Sequence, residues 1–375
     1  MDIFLNDEQE LLRESVVRFV DEEVRPRVKE IESTDEFPMD LWNKAAQLGL
    51  TSVNAPIELE GTGQDLVTAV MVMEEIGKAS PTLALIMDVN YFAIDQILGC
   101  GTPEQIDKFV PELASGRKIG GVSATQPEGA INYAEWPVGA YKEGDSWRIN
   151  CTKVFQSSST FSGIVPLFVK TEDGEIIQLI LEKNADTVGF ELGEREKKIG
   201  LHGSDTGTVY FNDLMIPDAN RTPEMSSKLE NNCLVYVAGI SLGIAEEAFN
   251  RTLSYLSNRT ANGKPVCSIN GVAQRLAELA TEIEAAKAFT YVTARKFDEG
   301  QDIFMEAQMC KAYVTELAVK VVSRCIELNG GIGVSIESEY PRMLGDAQVL
   351  TIAETAVTML YAGVQVGLGI PDVEI

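Results

Sequence analysis

Histidine is all but missing: the 375-residue chain holds one, His202. No second ligand type lies near it in sequence, so no metal site is expected there. Six cysteines stand singly at 100, 151, 233, 267, 310 and 325, without the paired spacing of a zinc site, and read as reduced packing residues. Positive charge is scarce too. With 31 Lys and Arg against 57 Asp and Glu, the net charge of -26 repels nucleic acid and anionic membrane, so neither is expected as a partner. Any phosphate-bearing ligand must therefore be met locally, by backbone N–H groups, helix N-termini and a few well-placed cations. There is no apolar run near the roughly 20 residues of a membrane span. The opening MDIFLNDEQELL lacks the basic and apolar regions of a signal peptide. The expectation is a cytoplasmic protein without membrane insertion. Internal repeats, low-complexity tracts and long linkers are likewise absent.

What is present falls into three stretches, in a chain long enough for roughly two or three domain-sized units. The first is helical. Asn6 with Gln9 forms a capping box for a helix over 7–24, with Leu11, Leu12, Val16, Phe19 and Val20 expected on one face. Further helices are predicted near 38–48, 65–76 and 82–98, and Thr102-Pro103 opens another. From about 118 to 217 the period changes. Trp147, Ile149 and Cys151 alternate with polar neighbours, 164–169 is nearly all apolar, 176–181 follows an Asp173-Gly174 turn, and 209–211 ends at Asn212-Asp213. These predict a mostly antiparallel sheet or barrel. Long apolar helices then return, and their stripes predict packing on one another or on a second subunit.

The stretch from Cys325 to Thr355 carries the chemistry. A helix ends at Asn329-Gly330-Gly331, a loop is predicted through Tyr340-Pro341, and a second helical run carries Glu354. That layout predicts a backbone-lined pocket with one carboxylate facing into it. The stretch resembles the C-terminal catalytic region of the acyl-CoA dehydrogenases, with Glu354 at the base position counted from Asp346. Other motifs resemble the same family in the same order: Thr125-Gln126-Pro127, the run Thr152 to Ser157, Lys198-Ile199-Gly200 through Pro217, and Arg259 to Pro265. The resemblance covers essentially the whole chain. It implies an α+β, acyl-CoA dehydrogenase-like fold: an N-terminal helical domain (1–116), a middle β-barrel or sheet domain (117–225) and a C-terminal four-helix bundle (226–375).

The resemblance also implies roles. Glu354 would remove the α-proton of an acyl-CoA, or return it to an enoyl-CoA. Thr125 would bond the pyrimidine edge of FAD, Phe155 would lie against the isoalloxazine, and the Ser157 hydroxyl would reach N5. Arg259, from a neighbouring subunit, would pair with the FAD diphosphate. Gly330 and Gly331 would let backbone approach the cofactor. Asn262, Asn270, Glu327 and Ala356 complete the implied cofactor set, and Ser123, Glu230 and Cys233 the implied substrate set. The implied partners are an electron-transfer flavoprotein and further copies of the chain, as a homotetramer or dimer of dimers, or a paralogue in a hetero-oligomer. The alternative reading is an FAD-poor, non-catalytic or half-site subunit of the same fold.

Overall fold

A computed structural model describes residues 4–34, 36–130 and 132–371; the first three residues of the opening stretch lie outside it. Helix α1 (Asp7–Phe19) begins at the predicted capping box. The Asn6 side chain accepts the Gln9 N–H and the Gln9 side chain accepts the Asn6 N–H, both at 2.9 Å. Two donors that a helix start leaves unpaired are thereby satisfied. The helix continues to Val24 as predicted, but its last turn, Val20–Val24, widens to π geometry ahead of Pro26, which has no N–H to donate. Helices α2 (Val28–Thr34), α3 (Met39–Gln47), α4 (Leu66–Ala79), α5 (Pro81–Cys100) and α6 (Pro103–Ala114) follow. Asp65, Ser80 and Thr102 cap the last three, and Pro occupies the first position of α5 and α6.

The middle stretch forms β1 (Val138–Glu143), β2 (Ser146–Ser157), β3 (Ile164–Thr171), β4 (Ile176–Glu182), β5 (Phe190–Arg195) and β6 (Thr206–Pro217). They make one sheet in the order β4-β3-β1-β2-β6-β5. Every pairing is antiparallel except β1 with β3, so the sheet is mixed, and among the described residues no pairing closes it into a barrel. β1 and β5 are additions to the strands predicted from alternation. One edge of the sheet docks on the first helices: Ile164 and Ile180 share a core with Ile94 and Ile97 of α5 and Phe109 and Leu113 of α6.

After the sheet come α7 (Asn232–Asn258), a two-stranded hairpin of β7 (Thr260–Ala261) and β8 (Lys264–Pro265), then α8 (Asn270–Asp298), α9 (Phe304–Asn329), α10 (Tyr340–Leu350) and α11 (Val357–Gly367). Tyr340-Pro341 is not a loop. It starts α10, where Pro341 in second position costs nothing because the N–H groups of the first turn have no partner inside the helix. The last helices do not form a core of their own. Buried residues of α1, α4 and α5 pack in one continuous cluster with those of α7 to α10. Backbones meet closely there: a Cβ on Gly243 of α7 would lie 2.2 Å from the Glu74 carbonyl oxygen on α4. Two helical runs, Pro81–Cys100 and Lys228–Asn258, have the length and apolar content of a membrane span, and 83% of that stretch is buried inside the protein in each. Their apolar surface is already covered by neighbouring helices.

Candidate functional site

The two stretches that carry the motifs meet at a cavity of about 470 Å³. Its walls come from α5 (Val89, Phe92, Gln96), the end of β2 (Val154 to Ser157), the beginnings of α7 and α9, and the loop between α10 and α11. Volume and lining suit an organic ligand, since apolar and aromatic side chains predominate with a few polar groups among them.

The end of β2 is shaped to present side chains to this space. Pairing with β6 shifts register between Lys153 and Gln156, and Phe155 sits in that irregularity with φ +53. A bulge re-aims the side chain it carries. Phe155 is 60% exposed although it belongs to a strand of the central sheet. Next to it Ser157 lines the cavity, as does Thr125 from the preceding segment, whose carbonyl accepts the Val154 N–H at 3.0 Å. Left-handed backbone at a bulky residue costs of order 1–3 kcal/mol and persists where the surroundings enforce it.

Glu354 reaches the cavity from another element. It does not belong to a helix: the chain between Leu350 and Val357 is a loop, and Glu354 stands in it with φ +60. Helical periodicity overreached here because Thr351 to Val357 carry apolar residues at helical spacing without helical backbone. The loop is held from behind by Lys311 of α9, whose Nζ donates to the Ala353 carbonyl at 2.7 Å and also to that of Thr355. Burial raises the Glu354 carboxyl above the usual carboxylate range, against the opposing pull of the Lys311 ammonium and a hydrogen bond with Asp88. The same burial lowers Lys311 to about 8. Glu354 is thus a better base than an exposed carboxylate.

On the α7 side, Glu230 and Cys233 line the cavity, as the resemblance implies. The Cys233 thiol donates to the Glu230 carbonyl at 3.0 Å, and burial raises both side chains above their ordinary ionisation ranges. Ser123 departs from expectation. It is fully buried and donates to the Gln156 side chain at 2.7 Å, so it braces the strand end and does not line the cavity.

Gly330 and Gly331 do not share this cavity. With Arg259, Tyr255 and Ile269 they line a second one, of about 290 Å³. A Cβ on either glycine would meet no protein atom within 4 Å, and Gly330 has φ +61, so the turn offers bare backbone to whatever approaches. Arg259 lies against Tyr255, with its guanidinium 5.7 Å from the ring centre. Within one chain the single pocket predicted from Gly330 to Glu354 is therefore two. Asn262, exposed at the tip of the β7–β8 hairpin with φ +52, lines neither. Asn270 is exposed at the start of α8, and Glu327 is spent on an ion pair with Arg324 at 2.8 Å. Ala356 is the residue before α11, next to the cavity-lining Thr355.

Asp88 and Lys311 escaped the sequence reading. Asp88 had a signal: a carboxylate inside the apolar run LALIMDVNYFAI. Its partner lies 266 positions on in sequence, beyond any local pattern. Among the described residues, no group of three or more His, Cys, Asp or Glu could hold a metal ion.

Comparison with known proteins accords with this geometry. Residues 6–117 match the acyl-CoA dehydrogenase N-terminal domain, and residues 231–356 its C-terminal domain. An acyl-CoA dehydrogenase of Bacillus subtilis (strain 168) is 30% identical over 93% of this chain and 95% of its own length. A caffeyl-CoA reductase-Etf complex subunit of Acetobacterium woodii is 26% identical over 94% of this chain and 96% of its own. Among solved structures, butyryl-CoA dehydrogenase from Megasphaera elsdenii superposes with a TM-score of 0.93 at 26% identity, covering 98% of this chain and 100% of that one.

Proposed function

The chain belongs to the acyl-CoA dehydrogenase family, an oxidoreductase family acting on CH–CH bonds, and from that premise we propose that it interconverts a short or unusual acyl-CoA and its 2,3-enoyl thioester, with Glu354 as base and FAD as cofactor. The observation that carries this reading is the shared cavity: Glu354 enters it from the α10–α11 loop, and Thr125, Phe155 and Ser157 enter it from the sheet. The residues present fit a flavin. Phe155 offers an exposed aromatic face beside two hydroxyl-bearing side chains, and the Gly330-Gly331 turn with Arg259 offers bare backbone and a guanidinium suited to a diphosphate.

FAD, when bound, supplies the hydride acceptor. The rest falls to this chain. An α-proton is far less acidic than a carboxylic acid, so Glu354 needs both a raised basicity, which burial gives it, and a stabilised enolate oxygen. The backbone N–H of Glu354 is suited to meet that oxygen from a loop that Lys311 holds in place. Phe155 and the apolar residues of α5 and α11 keep water from the exchanged proton. In the reductive direction, Glu354 returns the proton. The Acetobacterium relative, a reductase subunit of an Etf complex, supports an electron-transfer flavoprotein as redox partner and keeps the reductive direction open.

Arg259 lines a cavity apart from Glu354, which supports a site completed across subunits in a homotetramer or dimer of dimers: the first cavity of one chain with the second cavity of the next. The test is direct. Purified protein should be yellow with about one FAD per chain, and Glu354→Gln should keep the flavin while losing at least ~10³-fold in turnover, as removal of a general base does. A colourless protein that takes up no FAD would favour the non-catalytic subunit instead, and a turning-over Glu354→Gln would remove Glu354 as base.

A further inference from the structure

Asp88 lies on α5 directly behind the cavity wall, between Met87 and Val89, and is completely buried. Neither of its carboxyl oxygens receives a hydrogen bond from any N–H or hydroxyl among the described residues. An ionised carboxylate in that position would be desolvated and unpaired, which strongly disfavours its charged form. Four titratable side chains face it or its partner: Glu354 from the α10–α11 loop, Lys311 of α9, Asp95 on α5 itself and the Cys233 thiol of α7.

Asp95 is occupied elsewhere, accepting from Asn54 at 2.9 Å, Tyr236 at 3.0 Å and Asn232 at 3.4 Å. The Lys311 ammonium is turned to the carbonyls of the Glu354 loop. The group that acts most strongly on the buried, orphaned Asp88 carboxyl is the Glu354 carboxyl. Two ionised carboxylates so placed repel and neither can donate to the other, so one of them must carry a proton. Glu354 is the partner that borders the cavity and sits beside the ammonium, whereas Asp88 has no donor of its own. The proton therefore belongs to Asp88, and the trio of carboxylic acid, carboxylate and ammonium carries no net charge.

Resting on the reading of Glu354 as the base, we propose that Asp88 is its positioning residue: a carboxyl that stays protonated, donates a hydrogen bond to the Glu354 carboxylate and holds it ionised and aimed into the cavity. When Glu354 takes the α-proton, the new O–H bond is on Glu354 and Asp88 keeps its own proton, so nothing else need be transferred. The bond is stronger to the carboxylate than to the acid, so it also favours proton release by Glu354 when an enoyl thioester is reduced.

Two measurements on the full-length holoenzyme test this. The infrared difference between wild type and Asp88→Asn at neutral pH should show one protonated-carboxyl carbonyl band lost; a difference without that loss overturns the proposal without need of any substrate. The second reads exchange of the α-protons of butyryl-CoA with D2O by mass spectrometry against pH. Asn donates an N–H where Asp88 donates its O–H, so the acid limb of Asp88→Asn should stay within a few tenths of a pH unit, whatever its plateau. Asp88→Ala removes the donor and should move the limb up by about one unit or more, a tenfold loss of exchange below it. A limb unmoved in Asp88→Ala, or displaced by about a unit in Asp88→Asn, overturns the proposal. Should Asp88→Ala fail to fold, the Asn variant and the infrared band decide. An exchanging Glu354→Gln would instead remove the base, which separates the two failures.

Discussion

At the scale of single residues, the cavity is organised by a half-buried carboxylate and a lysine kept from its usual freedom. Lys311 is fully buried, and its ammonium satisfies carbonyls on both sides of Glu354. Lys311→Met should therefore act twice. It leaves those carbonyls without donors, at ~1–3 kcal/mol each in stability, and it removes the positive charge that opposes the rise in Glu354 basicity. The sign is fixed: a base whose proton affinity is raised works only above its own ionisation. Turnover of the wild type should rise with pH through a limb above the ordinary carboxylate range, and Lys311→Met should move that limb further up. A pH–rate profile of both proteins checks this, and a limb that moves down would show that Lys311 does not act on Glu354.

At the scale of elements, local chemistry was legible and contacts across the chain were not. Asn6 with Gln9 and Thr102 with Pro103 and Gln105 announce helix starts because a cap is written within four residues. The alternation of Trp147, Ile149 and Cys151 announces β2, but nothing in it reveals the bulge that turns Phe155 outward. Strand β5, FELGER, has only two apolar residues, Phe190 and Leu192, too short an alternation to detect. Proline at 341 reads as a breaker when it is a helix start. The site residues were placed by resemblance, and the structure separates them: Thr125, Phe155, Ser157, Glu230, Cys233 and Glu354 gather at one cavity, Arg259, Gly330 and Gly331 at another.

Another contact invisible to local patterns ties three helices together. Glu74 of α4 is buried and accepts from Lys287 at 2.9 Å and the Tyr291 hydroxyl at 2.7 Å, both on α8, with Lys78 at 3.3 Å and Glu246 of α7 completing the cluster. After the penalty of burial, these cations and the hydroxyl lower Glu74 to about 2. A carboxylate so depressed stabilises the fold above its unfolded ionisation, and that share is lost as pH falls from about 4.5 toward 2. Glu74→Ala leaves two cations around an empty place and should cost ~3–5 kcal/mol. Denaturant titration at neutral pH measures it; a loss below ~1 kcal/mol would mean water reaches the cluster freely.

At the scale of the whole molecule, the separation of the two cavities makes a prediction about mixed assemblies. If Arg259 serves the neighbouring chain, Glu354→Gln and Arg259→Gln are defects of opposite halves of a site. A pair containing one chain of each variant then holds one doubly altered site and one intact site. Co-expression of the two differently tagged variants should restore turnover that neither has alone, to about half the wild-type value per mixed pair. If both residues served the same site within a chain, every site would carry one lesion and no activity would return.

The continuous cluster that joins α1, α4 and α5 to α7 through α10 has a consequence for biosynthesis. The first helices leave the ribosome with apolar faces whose covering partners, beginning with α7, are still at least about 130 residues from being translated, a wait of roughly 7 to 25 seconds or more at 5–20 residues per second. For that interval the nascent chain depends on chaperones or on the sheet to shield those faces. A fragment ending at residue 225 should accumulate as aggregate, and the missing residues 226–375 supplied in trans during synthesis should rescue its solubility.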